Sequence, residues 1–352
     1  MWGKFPPQKW RNMNESINPQ DTPDVVIVHS PDYENWVFSS SHPTQGRRFI
    51  NGYNQVLAAL SHAEVETIAP RQATREELAL VHTQEYISEV LDQHSCEEWD
   101  GKRPDLSTLA STFVGGTLTA LDCLLDGEVA LAVHLPGAKH HAQADTSSGF
   151  CVFADFAIAA KIAVARGYKV AIFDYDAHHG DGTENLCADD PNILTYSVHE
   201  QGIFPGTGNS SDPDRHVYNR PLDVSELNAK ADQWSGSNFE HEEALLEAGR
   251  EFAELAAEFG ADIIFIAAGA DGHRDDPLSH LQYSSDILIK LFCGILHIEK
   301  LAELPVLIGG AGGYRPDDAT PQMWAAAVAG VYAHTELIET AAMKARQAGG
   351  NA

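Results

Sequence analysis

The densest chemistry in this chain lies in the stretch Val170-Ala-Ile-Phe-Asp-Tyr-Asp-Ala-His-His-Gly-Asp-Gly182. It opens as a continuous apolar run, the pattern of a strand buried on both faces of a parallel sheet. It ends in five side chains that bind metals or move protons: Asp174, Asp176, His178, His179 and Asp181. Side chains on a strand alternate between faces, so an extended continuation puts Asp174, Asp176 and His178 on one side. A carboxylate and an imidazole two residues apart then grip one cation. So much charge at a sheet end is costly without one. Asp271 follows another apolar run, Phe265-Ile-Ala-Ala268, and offers a third ligand. Asp176, His178 and Asp271 form a two-carboxylate, one-histidine set, which suits catalytic Zn²⁺ and also accepts Fe²⁺ or Co²⁺. The tandem pair His140-His141 lies in a Gly/Pro loop. Asp174 and Asp181 remain available once the metal is served. A carboxylate behind an imidazole fixes its tautomer and raises its basicity. Two such dyads facing an activated water supply a general base and a general acid.

The elements that must position these groups alternate along the chain. Strands are expected at 25–28, 64–69, 128–133, 170–174, 192–198, 262–268 and 305–308. Helices are expected at about 47–61, in two pieces across 73–93, and at 106–125, 151–166, 239–259, 283–301 and 321–343. Residues 209–239 read as mostly polar loop with one short strand. Alternation without repeats or long linkers predicts a single α/β domain over 24–345, a mainly parallel sheet with helices on both faces. Residues 1–23 read as an N-terminal arm. Ligands of such sheets gather at the carboxyl ends of the strands. Those ends are followed here by polar loops at 134–149, 174–183, 199–208 and 269–278, and by a glycine-rich loop, 309–316, that contains Tyr314.

The 352 residues carry 51 acidic and 23 basic side chains, a net charge of −28, and are 43% hydrophobic. Such a balance argues against nucleic acid as a partner and favours cationic ligands such as lysine-rich segments or polyamines. The first twenty residues lack the apolar core of a signal peptide, and no stretch reads as a membrane span. The five cysteines are scattered, without a CxxC pair, which points to a reducing compartment and a cytoplasmic location.

The chain resembles the zinc-dependent histone deacetylases and their bacterial relatives, among them acetoin-utilisation proteins and acetylpolyamine amidohydrolases. The matching stretches run in family order: His42-Pro43 with Arg48, Val81-His-Thr-Gln-Glu-Tyr86, His140-His-Ala142, Ser148-Gly-Phe-Cys151, Asp174 to Thr183, Ser197-Val-His199, Phe204-Pro-Gly-Thr-Gly208, Asp271 with Asp276-Pro277, and Gly309 to Tyr314. The resemblance implies an arginase-like α/β fold with a narrow tunnel to one catalytic Zn²⁺ per subunit on Asp176, His178 and Asp271. It implies His140 and His141 as the catalytic histidines, partnered by Asp174 and Asp181, with His141 as base for water. Tyr314 falls on the tyrosine that hydrogen-bonds the substrate carbonyl. Phe150 and Phe204 fall on the tunnel walls, with Gly149 beside them, and Arg48 near the foot of the pocket. Asp174 and Ser197 match a structural K⁺ site completed by the backbone carbonyls of Asp176, His178 and Val198.

Departures from the family pattern are local. The run His134-Leu-Pro-Gly-Ala-Lys-His-His141 places leucine before the proline, and alanine and lysine before the histidine pair. The rim acid that grips substrate is either Asp100 or Asp105, with Asp100 better spaced. Glu97 and Glu98 lie in the same loop. His273 reads as a turn residue, and His179 as packing behind the metal. The expected activity is removal of acetyl or another short acyl group from a lysine side chain of a protein or peptide. Acetylated polyamines are the alternative substrate, and a non-catalytic interaction protein is the reading from a different class. The oligomeric state is left open, with a homo-oligomer as one expectation.

Overall fold

The computed structural model describes residues 22–230 and 237–349, so the arm expected over 1–23 lies almost wholly outside the described residues. The described residues form one eight-stranded, all-parallel sheet in the order β2-β1-β3-β8-β7-β4-β5-β6. The strands are β1 (Val25–Val28), β2 (Val65–Ile68), β3 (Leu131–His134), β4 (Val170–Asp174), β5 (Ile193–Glu200), β6 (Val217–Leu222), β7 (Ile263–Ala267) and β8 (Val306–Gly309). Every residue of β1, β3, β4, β5, β7 and β8 is buried, as their apolar runs predict. The edge strand β2 is not: its sequence VETI is half polar and none of its residues is buried.

The helices cover the sheet as two packed sets. The Arg47–Ala59, Ser237–Phe259, Asp286–Leu296 and Ala319–Gly349 helices form one; the Pro104–Leu125, Asp155–Ala165 and Asp181–Cys187 helices form the other. Register then decides where the chemistry meets. His134 pairs with Gly309, Gly309 with Ala267, Ala267 with Asp174 and Asp174 with Ser197. These five positions form one row across β3-β8-β7-β4-β5. Because all five strands run in one direction, the loops bearing His140, Tyr314, Asp271, Asp176 and Phe204 leave the same sheet edge. Trp324, on the last helix, ties two of them together, donating from Nε1 to the carbonyls of Gly310 (2.8 Å) and Ala268 (3.0 Å).

Several expectations need correction. The helix expected over 151–166 starts only at Asp155. Ser148 and Cys151 bond each other's backbone, Phe150 lies at φ +66°, and the Asp155 carboxylate accepts from the backbone of Ala138 and Lys139. The 209–239 stretch holds β6 and also a helix, Val224–Lys230, whose start is fixed by Asp223 accepting from Ser225 N (2.8 Å). The helix expected from Tyr283 begins at Asp286, since Tyr283 donates its N–H back to Gly272 O (3.0 Å). The Pro104–Leu125 helix is long and apolar enough to cross a membrane by length and composition, contrary to the expectation. Its serine and threonine hydroxyls disguise it, several of them bonding back to carbonyls within the helix. It is a core helix, 78% of its most apolar window buried inside the protein.

Candidate active site

β4 ends at Asp174 and the chain bends at 176–178 instead of continuing extended as expected; the bend still brings Asp176 and His178 together, and Asp271 meets them from the end of β7. Their ligand atoms lie within 4.8 Å of one another, and all three residues are buried. His178 Nδ1 sits 2.8 Å from Asp271 Oδ2 and 3.1 Å from Asp176 Oδ1. Backbone N–H groups steer the carboxylates from behind. His178 N donates to Asp176 Oδ1 (2.9 Å), Gly312 N to Asp176 Oδ2 (2.6 Å) and Ala177 N to Asp271 Oδ1 (2.9 Å). A Cβ at Gly312 would stand 2.4 Å from Asp271 Oδ2 and 2.5 Å from Asp176 Oδ2, so only glycine lets the β8 loop come this close.

The electrostatics describe a place that asks for positive charge. Burial disfavours a charged His178, but the Asp271 and Asp176 carboxylates outweigh it and push its pKa up to about 11. Burial and the neighbouring Asp176 charge push Asp271 up to about 6. Asp176, also buried, is held well below the usual carboxylate range by His140 and His178. Two buried carboxylates and one imidazole fit a divalent cation with N/O preference, and the donor set matches Zn²⁺, Fe²⁺ or Co²⁺.

The tandem histidines lie over this cluster, ring centroids 4.0 Å apart, each backed by its own aspartate. His140 Nδ1 is 2.7 Å from Asp174 Oδ2, and His141 Nδ1 is 2.7 Å from Asp181 Oδ1. Identical chemistry at 140 and 141 acquires opposite charge states. For His140, burial is outweighed by Asp174 and Asp176, and its pKa rises to about 9. For His141, burial and the neighbouring His140 charge outweigh Asp181, and its pKa falls to about 4. At neutral pH one ring carries a proton to give and its neighbour is free to accept one. With Nδ1–H donated to a carboxylate, each ring turns Nε2 the other way.

Tyr314 is half-buried beyond Gly313. Burial, with Asp271 and Asp176 nearby, raises its hydroxyl well above the ordinary value, so it remains a neutral donor. Two contacts hold its loop. Arg48 Nη1 donates to Gly313 O (2.7 Å), and Tyr314 N donates to Asp276 Oδ2 (2.7 Å). Phe204 is 50% exposed and stands edge-on to His141, 5.0 Å between centroids. Phe150 lies on the other flank, 5.8 Å from Tyr314 and 4.5 Å from His42. Gly149, at φ +53°, links the flanks: a Cβ there would meet His141 at 2.3 Å and Phe204 at 2.9 Å. Asp100 is exposed, whereas Asp105 is already paired with Arg103 (2.7 Å). Glu98 is half-buried against the Phe150 backbone, and burial raises its pKa.

The five residues expected around K⁺ come together at the β4-β5 pairing. Asp174 and Ser197 are register partners and Val198 is the next residue of β5, while Asp176 and His178 lie just past the end of β4. Asp174 Oδ1 accepts from Asp176 N (3.1 Å). His179 turns away from the cluster, its Nδ1 bonded to Thr207 Oγ1 (2.8 Å) and its Nε2 to Glu184 (3.0 Å). With His199, whose Nε2 donates to Gly208 O (3.1 Å), it anchors the Phe204 loop.

The sequence assigns no role to the other supports, although His82 lies in the matching stretch Val81–Tyr86. Gln143 Nε2 donates to Asp181 Oδ2 (2.9 Å), and His82 ties Gln143 O (2.9 Å) to Ala154 N (2.9 Å). Asp155 was hidden in an apolar helical pattern. His273 is a turn residue as expected, its Nδ1 accepting from Asp275 N (3.1 Å).

Comparison with known proteins matches residues 42–331 to the model of the histone deacetylase domain. The acetoin utilization protein AcuC of Bacillus subtilis (strain 168) is 33% identical over 327 residues, 86% of this chain and 80% of that protein. AcuC of Staphylococcus aureus (strain Mu50) is 29% identical over 330 residues, 87% of this chain and 81% of its own. Among solved structures, the HDA15 HD domain superposes with a TM-score of 0.71 at 23% identity, covering 89% of this chain and 91% of that one. At that identity the likeness speaks for the fold, which is the arginase-like α/β fold of this group.

Proposed function

The chain belongs to the histone deacetylase family, and from that premise we propose that it is a zinc-dependent amidohydrolase that removes acetyl or another short acyl group from the side-chain amine of lysine in proteins or peptides. Family membership supports an amide-hydrolysing deacetylase. The observation that carries the finer reading is the pair of Asp–His dyads above one Asp–His–Asp cluster.

Asp176, His178 and Asp271 would hold the cation. When bound, it lowers the pKa of a coordinated water toward ~7 and polarises the amide carbonyl. His141, neutral and with Nδ1–H tied to Asp181, takes the proton from the attacking water at Nε2. His140, protonated and backed by Asp174, and the Tyr314 hydroxyl donate to the oxygen as it gains negative charge. The C–N bond then breaks, a protonated histidine supplies the proton to the leaving amine, and the water oxygen ends in the new carboxylate. Phe150 and Phe204 would flank the acyl-lysine stem, with Gly149 between them and Asp100 at the rim. K⁺ at Asp174, Ser197 and the carbonyls of Asp176, His178 and Val198 would hold the β4 end in place. The catalytic domain spans 24–345, and five free cysteines suit a cytoplasmic setting.

The test is hydrolysis of an acetyl-lysine peptide and of acetylspermidine, side by side, by metal-loaded and chelator-treated protein. Chelation should abolish turnover and Zn²⁺ should restore it. Faster turnover of acetylspermidine would transfer the reading to the polyamine branch. No turnover of either would leave the non-catalytic interaction protein as the surviving reading.

A further inference from the structure

Between His140 and Tyr314 lies a small cavity whose wall includes Thr44, Arg48, Lys139 and Cys151. So small a space can take the end of a short chain but not a long one. Two of the polar groups around it keep an unused donor. Arg48 is 2% exposed; its Nη1 reaches Gly313 O, while its Nε has no partner among the described residues. The hydroxyl of Thr44, 1% exposed, is likewise unpartnered.

Lys139, 5% exposed, has no hydrogen-bond acceptor for Nζ among the described residues. Aromatic faces stand around it, Phe113 at 5.4 Å, Phe49 at 5.6 Å and Trp36 at 6.0 Å, and its charged or titratable neighbours are Arg48, Cys151, Asp155 and Asp176. The neighbouring carboxylate of Asp155 is occupied by the backbone N–H groups of Ala138 and Lys139 and by the Thr117 hydroxyl. Burial, together with the neighbouring Arg48, lowers the Lys139 pKa to about 8, which leaves it mostly charged at neutral pH. Two buried cations and a hydroxyl make a poor seat for the methyl of an acetyl group and a good one for an anion.

We propose that Arg48, Lys139 and Thr44 bind a carboxylate at the far end of the acyl group, so that this chain prefers short dicarboxylic acyl-lysines, malonyl or succinyl, over neutral acyl groups of similar length. The proposal rests on the deacylase reading above. It names a specificity site inside it that depends on Lys139.

One lysine peptide carrying acetyl, butyryl, malonyl or succinyl tests it, with kcat/KM measured on metal-loaded protein and binding measured by calorimetry. A charge-assisted contact predicts roughly a tenfold to hundredfold preference for the dicarboxylic groups over butyryl. Lys139→Met should cut that ratio at least tenfold, and Thr44→Val should cut it less. Butyryl processed and bound as well as malonyl and succinyl by the wild-type protein would overturn the proposal, as would an unchanged ratio in a folded Lys139→Met protein. Absent turnover of every peptide would sink the deacylase reading, while the calorimetric order would still decide the carboxylate site.

Discussion

Asp181 offers a sharp test of the catalytic reading because both of its oxygens are in use. Oδ1 accepts from His141 Nδ1 at 2.7 Å and Oδ2 accepts from Gln143 Nε2 at 2.9 Å. Gln143 cannot turn over freely. Its Nε2 also donates to His141 O (3.2 Å), and its Oε1 accepts from Asn185 Nδ2 (3.0 Å). Asp181→Asn leaves one acceptor where two are needed. The Asn carbonyl stays on Gln143, and its NH₂ faces His141. His141 then switches to the Nε2–H tautomer and can no longer take a proton from water. By analogy with other base–carboxylate pairs whose tautomer is reversed, kcat should fall on the order of 10³-fold or more, with KM little changed. Raising the pH should not restore it. Asp181 is one of the groups that favour the protonated ring, so without it His141 is even more fully neutral. In Asp181→Asn/Gln143→Ala the amide is free to rotate and present its oxygen to His141, so kcat should recover at least tenfold over the single Asn variant. Steady-state kinetics on an acetyl-lysine peptide from pH 6 to 9 read both effects. If Asp181→Asn retains kcat within threefold, or the second substitution rescues nothing, the assignment of His141 as base fails.

Tyr314→Phe should lower kcat about 10²- to 10³-fold by removing one donor to the oxyanion, while metal content by elemental analysis stays unchanged; near-normal turnover would remove Tyr314 from the mechanism. Gly312→Ala should weaken Zn²⁺ binding roughly 10- to 100-fold, since its Cβ would drive into both Asp176 Oδ2 and Asp271 Oδ2; equal affinity in a chelator competition would contradict the cradle described here. Acid should destabilise the fold through His82, whose Nε2 must stay unprotonated to accept from Ala154 N. Burial pushes its pKa down to about 4, below the unfolded value of 6.5. The folded state therefore binds fewer protons, and stability is lost as pH falls from about 6.5 toward 4, on the order of 2 kcal/mol from this group at pH 5. Urea melts at pH 7 and pH 5 should show the drop, and a similar pH sensitivity in His82→Gln would assign it elsewhere.

The sequence by itself determined the order of elements, the parallel sheet and the donor inventory. Continuous apolar runs ending in carboxylates and imidazoles are local patterns, and they put Asp174, Asp176 and His178 in one short stretch; the bend at 176–178 that joins Asp176 to His178 and leaves Asp174 to His140 is not given by a strand's two-residue period. Boundaries were less legible where side chains far apart in the chain set them. Asp155 starts its helix late because its carboxylate serves the Ala138-Lys139 backbone, and Tyr283 pairs back toward Gly272 instead of opening a helix. Tertiary structure alone decided the rest. The common register row from His134 to Ser197 brings five loops to one edge. Burial and unequal neighbours push His140 up and His141 down, though the two are adjacent and of one type. Lys139 shows the same division: in the sequence it is only an interruption of a family pattern, and in the fold it is a buried cation facing the acyl pocket. Charge state and ligand preference depend on desolvation and on the partners within a few ångströms, and those are properties of the packed chain.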